Sequence, residues 1–348
     1  MVGLKGEEAF MDYTFLHFSG FSDAQNGCWS DELCNVMGLD KEKLPRFVDP
    51  WHVFGEVTDK AAKEFGLAPG TIVAAGCGDT AANAFGGGVV KAGMLFDVAG
   101  TASVFAGCAD TFVADVKNRA LMTMRSVIPG LWNPLAYIAG GGIAVRWYRD
   151  QFFNKYRGEP QNSPDDLYSV MISQMEEIPP GSEGLFFSPH LGGRICPATP
   201  EMRGSWIGFS WGHTQAHFGR AVLESVAYEY AYYLSILREL IPDLTLFETR
   251  VVGGGARSTF WNQIKADVIG VPYQPLVGNE FGSWGSAMIA GKAVGIFDDL
   301  AAVAEEHANT AGEPLLPDSK TNSAYQKIVE QQIKLQTVLG QAFVEINK

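Results

Sequence analysis

The chain has 348 residues, 47% of them hydrophobic and 19% charged, which is the balance of an ordinary globular protein with room for two cores. Its net charge of −13 leaves no basic stripe to neutralise phosphates, which argues against nucleic acid as a partner. No apolar run reaches membrane-spanning length, and Met1–Glu7 is too polar for a signal peptide, so neither membrane nor export is expected and the cytoplasm is.

Residues 1–50 begin without an orderly strand. The aromatic stretch Phe10–Phe21 leads to a short helix around Ser30–Met37 and reads like the middle of a domain, its aromatics offering either a homodimer interface or an exposed edge. Asp59–Phe65 predicts a helix ending at Gly66. Thr71–Ala75 is a short buried strand. It runs into Gly76-Cys77-Gly78-Asp79-Thr80-Ala81, a carboxylate at a glycine-lined turn, and then a small-residue helix from Thr80 to Phe85. Five cysteines form no CxxC pair and suit no complete disulfide set. Cys77 has no histidine near it in sequence and reads as buried filler rather than a nucleophile.

From about residue 90 the pattern changes. Met94–Ala99, Ala102–Gly107 and Leu121–Ile128 predict consecutive antiparallel strands, with Gly100-Thr101-Ala102 as a tight turn. Gly140-Gly141-Gly142 opens a helix through Trp147 and Phe152. Gly184–Phe187 is a further strand. The longest helix is expected from Thr214 to Leu240, with a core stripe at helical spacing and Pro242 to stop it. Phe247–Val252 is a strand leading to Gly253-Gly254-Gly255 and a helix from Ser258 to Ile269. The glycines and alanines of Glu280–Gly295 predict a helix packed tightly on something flat. Ala324–Ala342 is a last amphipathic helix. The plan is α/β with a mixed sheet. A dinucleotide fold is disfavoured because Gly86–Gly88 does not follow a strand.

Phosphoryl transfer needs a carboxylate to receive a hydroxyl proton, and amides plus a hydroxyl to hold phosphate oxygens. Asp79 suits the first role, or else simply caps the helix that follows it. Thr101 suits the second as part of an anion-holding turn, or else is a plain hairpin turn. Gly142 and Gly255 would let backbone lie against a nucleotide at helix N-termini, while Gly140 and Gly253 serve either that purpose or packing.

In this order the motifs resemble the FGGY family of carbohydrate kinases, xylulokinase-like members most closely. Gly76–Ala82 is similar to the family's glycine-aspartate segment, Gly100-Thr101-Ala102 to its GTS turn with Ala102 in place of serine, and Gly142 with Trp147–Asp150 to its glycine-then-helix segment. Arg220–Glu224 resembles its R-A-x-x-E. Val252–Ser258 with Trp261-Asn262-Gln263 is similar to its adenosine motif, and Glu280–Ala287 to the E-x-G-A-x-G-A-A segment that follows. The resemblance implies an actin-like ATPase/sugar-kinase (ribonuclease H-like) fold, an α/β arrangement of a mixed sheet with flanking helices. Residues 1–89 would be the tail of a sugar-binding first domain and 90–348 a complete nucleotide-binding second domain. It implies ATP and Mg²⁺, Asp79 as catalytic base, nucleotide contacts from Gly100, Thr101, Gly142, Gly254, Gly255 and Ser258, and a small-molecule sugar such as xylulose. Glycerol, ribulose or gluconate are alternative substrates. The Mg²⁺ ligands are not assigned.

The chain departs from the pattern in three places. Pro189–Pro197 lacks the glutamate of the family's G-E-R-x-P, so no role is expected there. Ala102 removes a hydroxyl from the phosphate turn. The family's opening D-x-G-T hairpin is not found, so the chain alone is expected to be inactive, with a missing N-terminal segment or chain as partner. A non-catalytic nucleotide-binding remnant or the C-terminal subunit of a split kinase is the competing reading, and a chaperone-type or actin-like ATPase is disfavoured.

Overall fold

The computed structural model describes residues 8–153, 164–278 and 280–347, without the side chains of 164–166. At its centre is a six-stranded mixed sheet in the order Tyr273–Pro275, Glu248–Val252, Met94–Ala99, Ser103–Gly107, Trp132–Ile138, Met122–Arg125. Glu248–Val252 runs parallel to both its neighbours, and the other pairings are antiparallel.

The expected strand order needs one correction. Ser103–Gly107 pairs with Trp132–Ile138, and Met122–Arg125 is displaced to the edge. Pro134 hides this strand from a sequence reading, because proline cannot donate to a ladder. By register Pro134 lies opposite Gly107. The Gly107 carbonyl accepts instead from Asn133 Nδ2 at 3.0 Å, so the gap is filled from a side chain.

Alternation along Met94–Ala99 feeds two cores. Leu95 and Ala99 face a cluster built with the helices Gln215–Leu240 and Thr259–Ile269, while Met94 and Phe96 face one built with Asp79–Gly86 and Phe281–Ala293. Helices therefore cover both faces of the sheet. The longest helix is Ser319–Ile346, capped by Asp318, and not Gln215–Leu240. Phe281–Ala293 packs on the helix Asp79–Gly86 rather than on a flat surface. A Cβ at Gly285 would lie 2.3 Å from the Ala82 carbonyl, so glycine is what lets these helices touch.

Helix ends follow from local signals. Asp59–Phe65 ends at Gly66 with φ 69°, and Thr214 caps Gln215–Leu240. The opening segment departs from expectation: Phe10–Asp12 is a strand, parallel to Arg46–Val48. Arg125 ties this segment to the sheet edge. Its Nη2 donates to Gln25 O at 2.8 Å, and its guanidinium lies over the rings of Tyr13 and Trp132.

Candidate active site

The turn between Met94–Ala99 and Ser103–Gly107, the start of the helix Gly141–Phe152, and the loop before Thr259–Ile269 surround one cavity of about 740 Å³. Gly100, Thr101, Gly142, Gly254, Gly255 and Ser258 all line it. Its size is that of a small-molecule site.

Two of the glycines that line the cavity also pack loops together. A Cβ at Gly142 would come 2.3 Å from Gly100 O, and one at Gly255 would come 2.7 Å from both Ala99 Cβ and the Trp261 ring. These two glycines press loops against each other. The helix start is also partly committed, because Gly142 N–H donates to Gly100 O at 2.9 Å and Ile143 N–H to Thr101 O at 3.0 Å. That pair of bonds fixes the turn bearing Thr101. Gly140 and Gly253 prove to be packing glycines too, against Pro189 O and Ala99 O. Gly254 is different: a Cβ there would meet nothing within 4 Å, so its backbone faces open cavity. Ser258 is the helix cap, its Oγ accepting from Trp261 N–H at 3.2 Å.

Two arginines that the motifs did not single out, Arg146 and Arg257, also line the cavity. Both are exposed. They supply the few local cations an acidic chain would need beside a polyphosphate. The signal for Arg257 is its place directly after the glycine run, and for Arg146 its place one turn into the helix that Gly141 opens.

Asp79 does not line this cavity. It is exposed, at the first position of the helix Asp79–Gly86, where Gly78 is the N-cap without a side-chain bond. Asp79 is thus the first helical residue and Gly78 the cap. Asp79 Oδ1 accepts from Thr80 N–H at 2.7 Å and from the Thr80 hydroxyl at 3.5 Å, while the side chain stays exposed. Negative charge at a helix start is favoured by the helix dipole. The adjoining turn is held from below: Gly78 N–H donates to Thr14 Oγ1 at 2.8 Å, and Thr14 in turn donates from both its hydroxyl and its N–H to buried Asp12. Burial pushes the Asp12 carboxyl up, against the pull of those bonds. Tyr137 lies on the strand beside Ser103–Gly107. Burial and the Asp79 charge push its phenol up.

Cys77 sits between the two carboxylates, and its thiol is pushed up to about 12, by burial first and then by Asp12 and Asp79. Burial does the same to Cys108. Alkylation at neutral pH should modify exposed Cys28 and spare Cys77 and Cys108, because the thiolate is the reactive form. Peptide mapping after iodoacetamide checks this. Modification of Cys77 as fast as Cys28 would show that the Asp79 turn opens.

On the strand that leads to the Gly100–Ala102 turn, Asp97 Oδ2 lies 2.6 Å from Lys265 Nζ, both side chains fully buried. Tyr230 OH donates to Asp97 Oδ1 at 2.7 Å. Nothing local in the sequence pairs these residues. The Pro189–Pro197 loop, from which no role was expected, anchors a buried charge. Arg194 Nη2 bonds Glu229 at 2.9 Å, and His190 lies 3.5 Å from the same carboxylate. Burial alone would push Glu229 up, yet Arg194 and His190 hold it down at about 2.

Among the described residues no helix is long and apolar enough to cross a membrane, and no group of three or more His, Cys, Asp or Glu side chains could hold a metal ion. Residues 97–294 match the FGGY family of carbohydrate kinases, C-terminal domain, and residues 2–86 match the N-terminal domain of the same family. The gluconokinase of Bacillus subtilis is 26% identical over 97% of this chain and 65% of its own length. The xylulose kinase of Lactococcus lactis is 27% identical over 93% and 63%. The solved xylulose kinase of Lactobacillus acidophilus superposes with a TM-score of 0.86 at 21% identity, covering 97% of this chain and 66% of that one. That likeness carries the fold, the α/β actin-like ATPase arrangement of the sugar kinases. The chain spans a little under two thirds of the length of these relatives.

Proposed function

The chain belongs to the FGGY family of carbohydrate kinases, and from that membership we propose that it moves the γ-phosphate of ATP to a hydroxyl of a small sugar. The carrying observation is convergence: Gly100, Thr101, Gly142, Gly254, Gly255 and Ser258, scattered over the chain, line one cavity with Arg146 and Arg257. We take residues 90–348 as the nucleotide-binding domain and 1–89 as the last part of the sugar-binding one.

In this reading the sugar hydroxyl oxygen attacks the γ-phosphorus, the bond to the ADP oxygen breaks, and Asp79 accepts the hydroxyl proton. Thr101 and the amides of its turn hold the migrating phosphate oxygens, and Gly254 gives the nucleotide room to lie along the backbone. Mg²⁺ would neutralise charge on the phosphates. With no group of three or more ligating side chains among the described residues, phosphate oxygens and water would supply most of its ligands, its usual habit in such sites.

A ketopentose such as xylulose is the favoured substrate, because the xylulokinase-like motifs are the ones the chain matches. Gluconate is the nearest competitor, given the gluconokinase relative. Measuring ADP release with xylulose, gluconate and glycerol in turn tests the reading. Assayed together with the part of the relatives that this chain does not span, release that rises steeply with xylulose is the expected result, while the chain alone should stay at background. Release identical with and without every sugar would make the protein an ATPase and not a sugar kinase.

A further inference from the structure

Arg220 and Glu224, the ends of the R-A-x-x-E motif, lie one turn apart on the helix Gln215–Leu240 at 5% and 0% exposure, and neither lines the nucleotide cavity. Arg220 Nε donates to Glu224 Oε1 at 2.9 Å. Arginine placed four residues before glutamate runs against the helix dipole, so this is the poorer order for stabilising the helix itself. A buried ion pair is also weak ground for stability, since apolar side chains of similar volume often serve as well. The other contacts of the pair supply a different role.

Arg220 Nη1 donates to Met175 O at 3.3 Å, in the last turn of the helix Pro164–Glu176. The same guanidinium lies 5.2 Å from the centre of the Phe260 ring, at the start of Thr259–Ile269. Phe260 lines the nucleotide cavity, as do Tyr168, Met171 and Ile172 on Pro164–Glu176 and Leu223 beside Glu224. One planar side chain therefore ties together three helices that wall the cavity. Glu224 holds the same wall from beyond its end. It accepts from Gly181 N–H and Ser182 Oγ, both at 2.8 Å, and from Tyr325 OH at 2.7 Å. Gly181, Ser182, Glu183 and Gly184 all have positive φ, at 85°, 49°, 53° and 89°. Such a left-handed turn is strained at its two non-glycine residues and persists only where its surroundings over-determine it. Glu224 provides that grip, just past the end of Pro164–Glu176.

Resting on the nucleotide reading above, we propose that Arg220 is a positioning residue for that cavity. It does not touch the ligand. With Glu224 it fixes the helix Pro164–Glu176 and the Phe260 ring at the separation that the nucleotide requires.

Calorimetry of the whole chain with ADP tests this in three variants. Arg220→Lys keeps a cation beside Glu224 but loses the planar fork, and should weaken ADP by about tenfold. Arg220→Met combined with Glu224→Gln strands no buried charge, and should weaken ADP to the same degree. Tyr325→Phe removes a bond to Glu224 without touching the cavity wall, and should lower Tm while ADP affinity stays unchanged. Hydrogen exchange without nucleotide gives a second reading. In Arg220→Lys the helix Pro164–Glu176 should exchange faster than in wild type, while Met94–Ala99 stays protected. Wild-type affinity in both Arg220 variants, unchanged exchange in Arg220→Lys, or a loss of affinity in Tyr325→Phe that matches theirs would each overturn this proposal alone. A wild type that gives no heat with ADP would defeat the nucleotide reading, and this proposal with it.

Discussion

Assayed together with the part of the relatives that this chain does not span, replacing Asp79 by asparagine should lower sugar-dependent kcat by a factor of about 10² to 10⁴, the usual worth of a general base, while ADP affinity stays unchanged. Asparagine keeps the shape and an oxygen to accept the Thr80 N–H, so the helix start should survive. What it loses is the ability to take a proton. Asp79 also lies outside the cavity that Thr101 and Gly254 line, so a variant there has no reason to disturb nucleotide binding. Steady-state rates and ADP titration on the same preparation check both halves. Near-normal turnover would remove Asp79 from the chemistry, and a joint loss of rate and ADP affinity would assign it to structure.

The second large effect concerns stability. Lys265→Met should cost about 3–5 kcal/mol, because it strands the Asp97 carboxylate in a fully buried place. Burial pulls the Lys265 ammonium down, and only the Asp97 charge opposes it, so the pair stands or falls together. The double variant Asp97→Leu with Lys265→Met should recover most of the loss, since apolar replacements of similar volume often match a buried ion pair. Urea unfolding of both single variants, Lys265→Met and Asp97→Leu, and of the double variant gives the coupling directly. A single variant within about 1 kcal/mol of wild type would mean that water reaches the pair.

Much of the fold is legible in the sequence because its signals are local. Gly66 ends its helix in a left-handed conformation, Ser258 and Thr214 cap theirs, and the hairpin around Gly100–Ala102 follows from alternation on either side of a glycine turn. What stays hidden depends on distant partners. Trp132–Ile138 looks unlike a strand until Asn133 is seen to fill the place of the missing proline N–H. Lys265 and Asp97 are separated by 168 positions, and Gly78 and Thr14 by 64. Motifs point to the residues that line the cavity, but not to the reason for glycine at 142 and 255. Only the folded chain places Ala99, Gly100 and Trp261 against them.

The central claim, a nucleotide cavity built by the Thr101 turn and the Gly253–Ser258 loop, is tested most directly by titrating the chain with ADP in a calorimeter. Gly254→Val is the informative variant, since a Cβ there meets no protein atom within 4 Å and the position lines the cavity. Gly255→Val is the poorer choice, because it would push against Ala99 and Trp261 and could lose binding by distortion alone. Wild type should give saturable heat, and Gly254→Val should give none while keeping its Tm. No heat from wild type at millimolar ADP, or equal heat from Gly254→Val, would contradict the account.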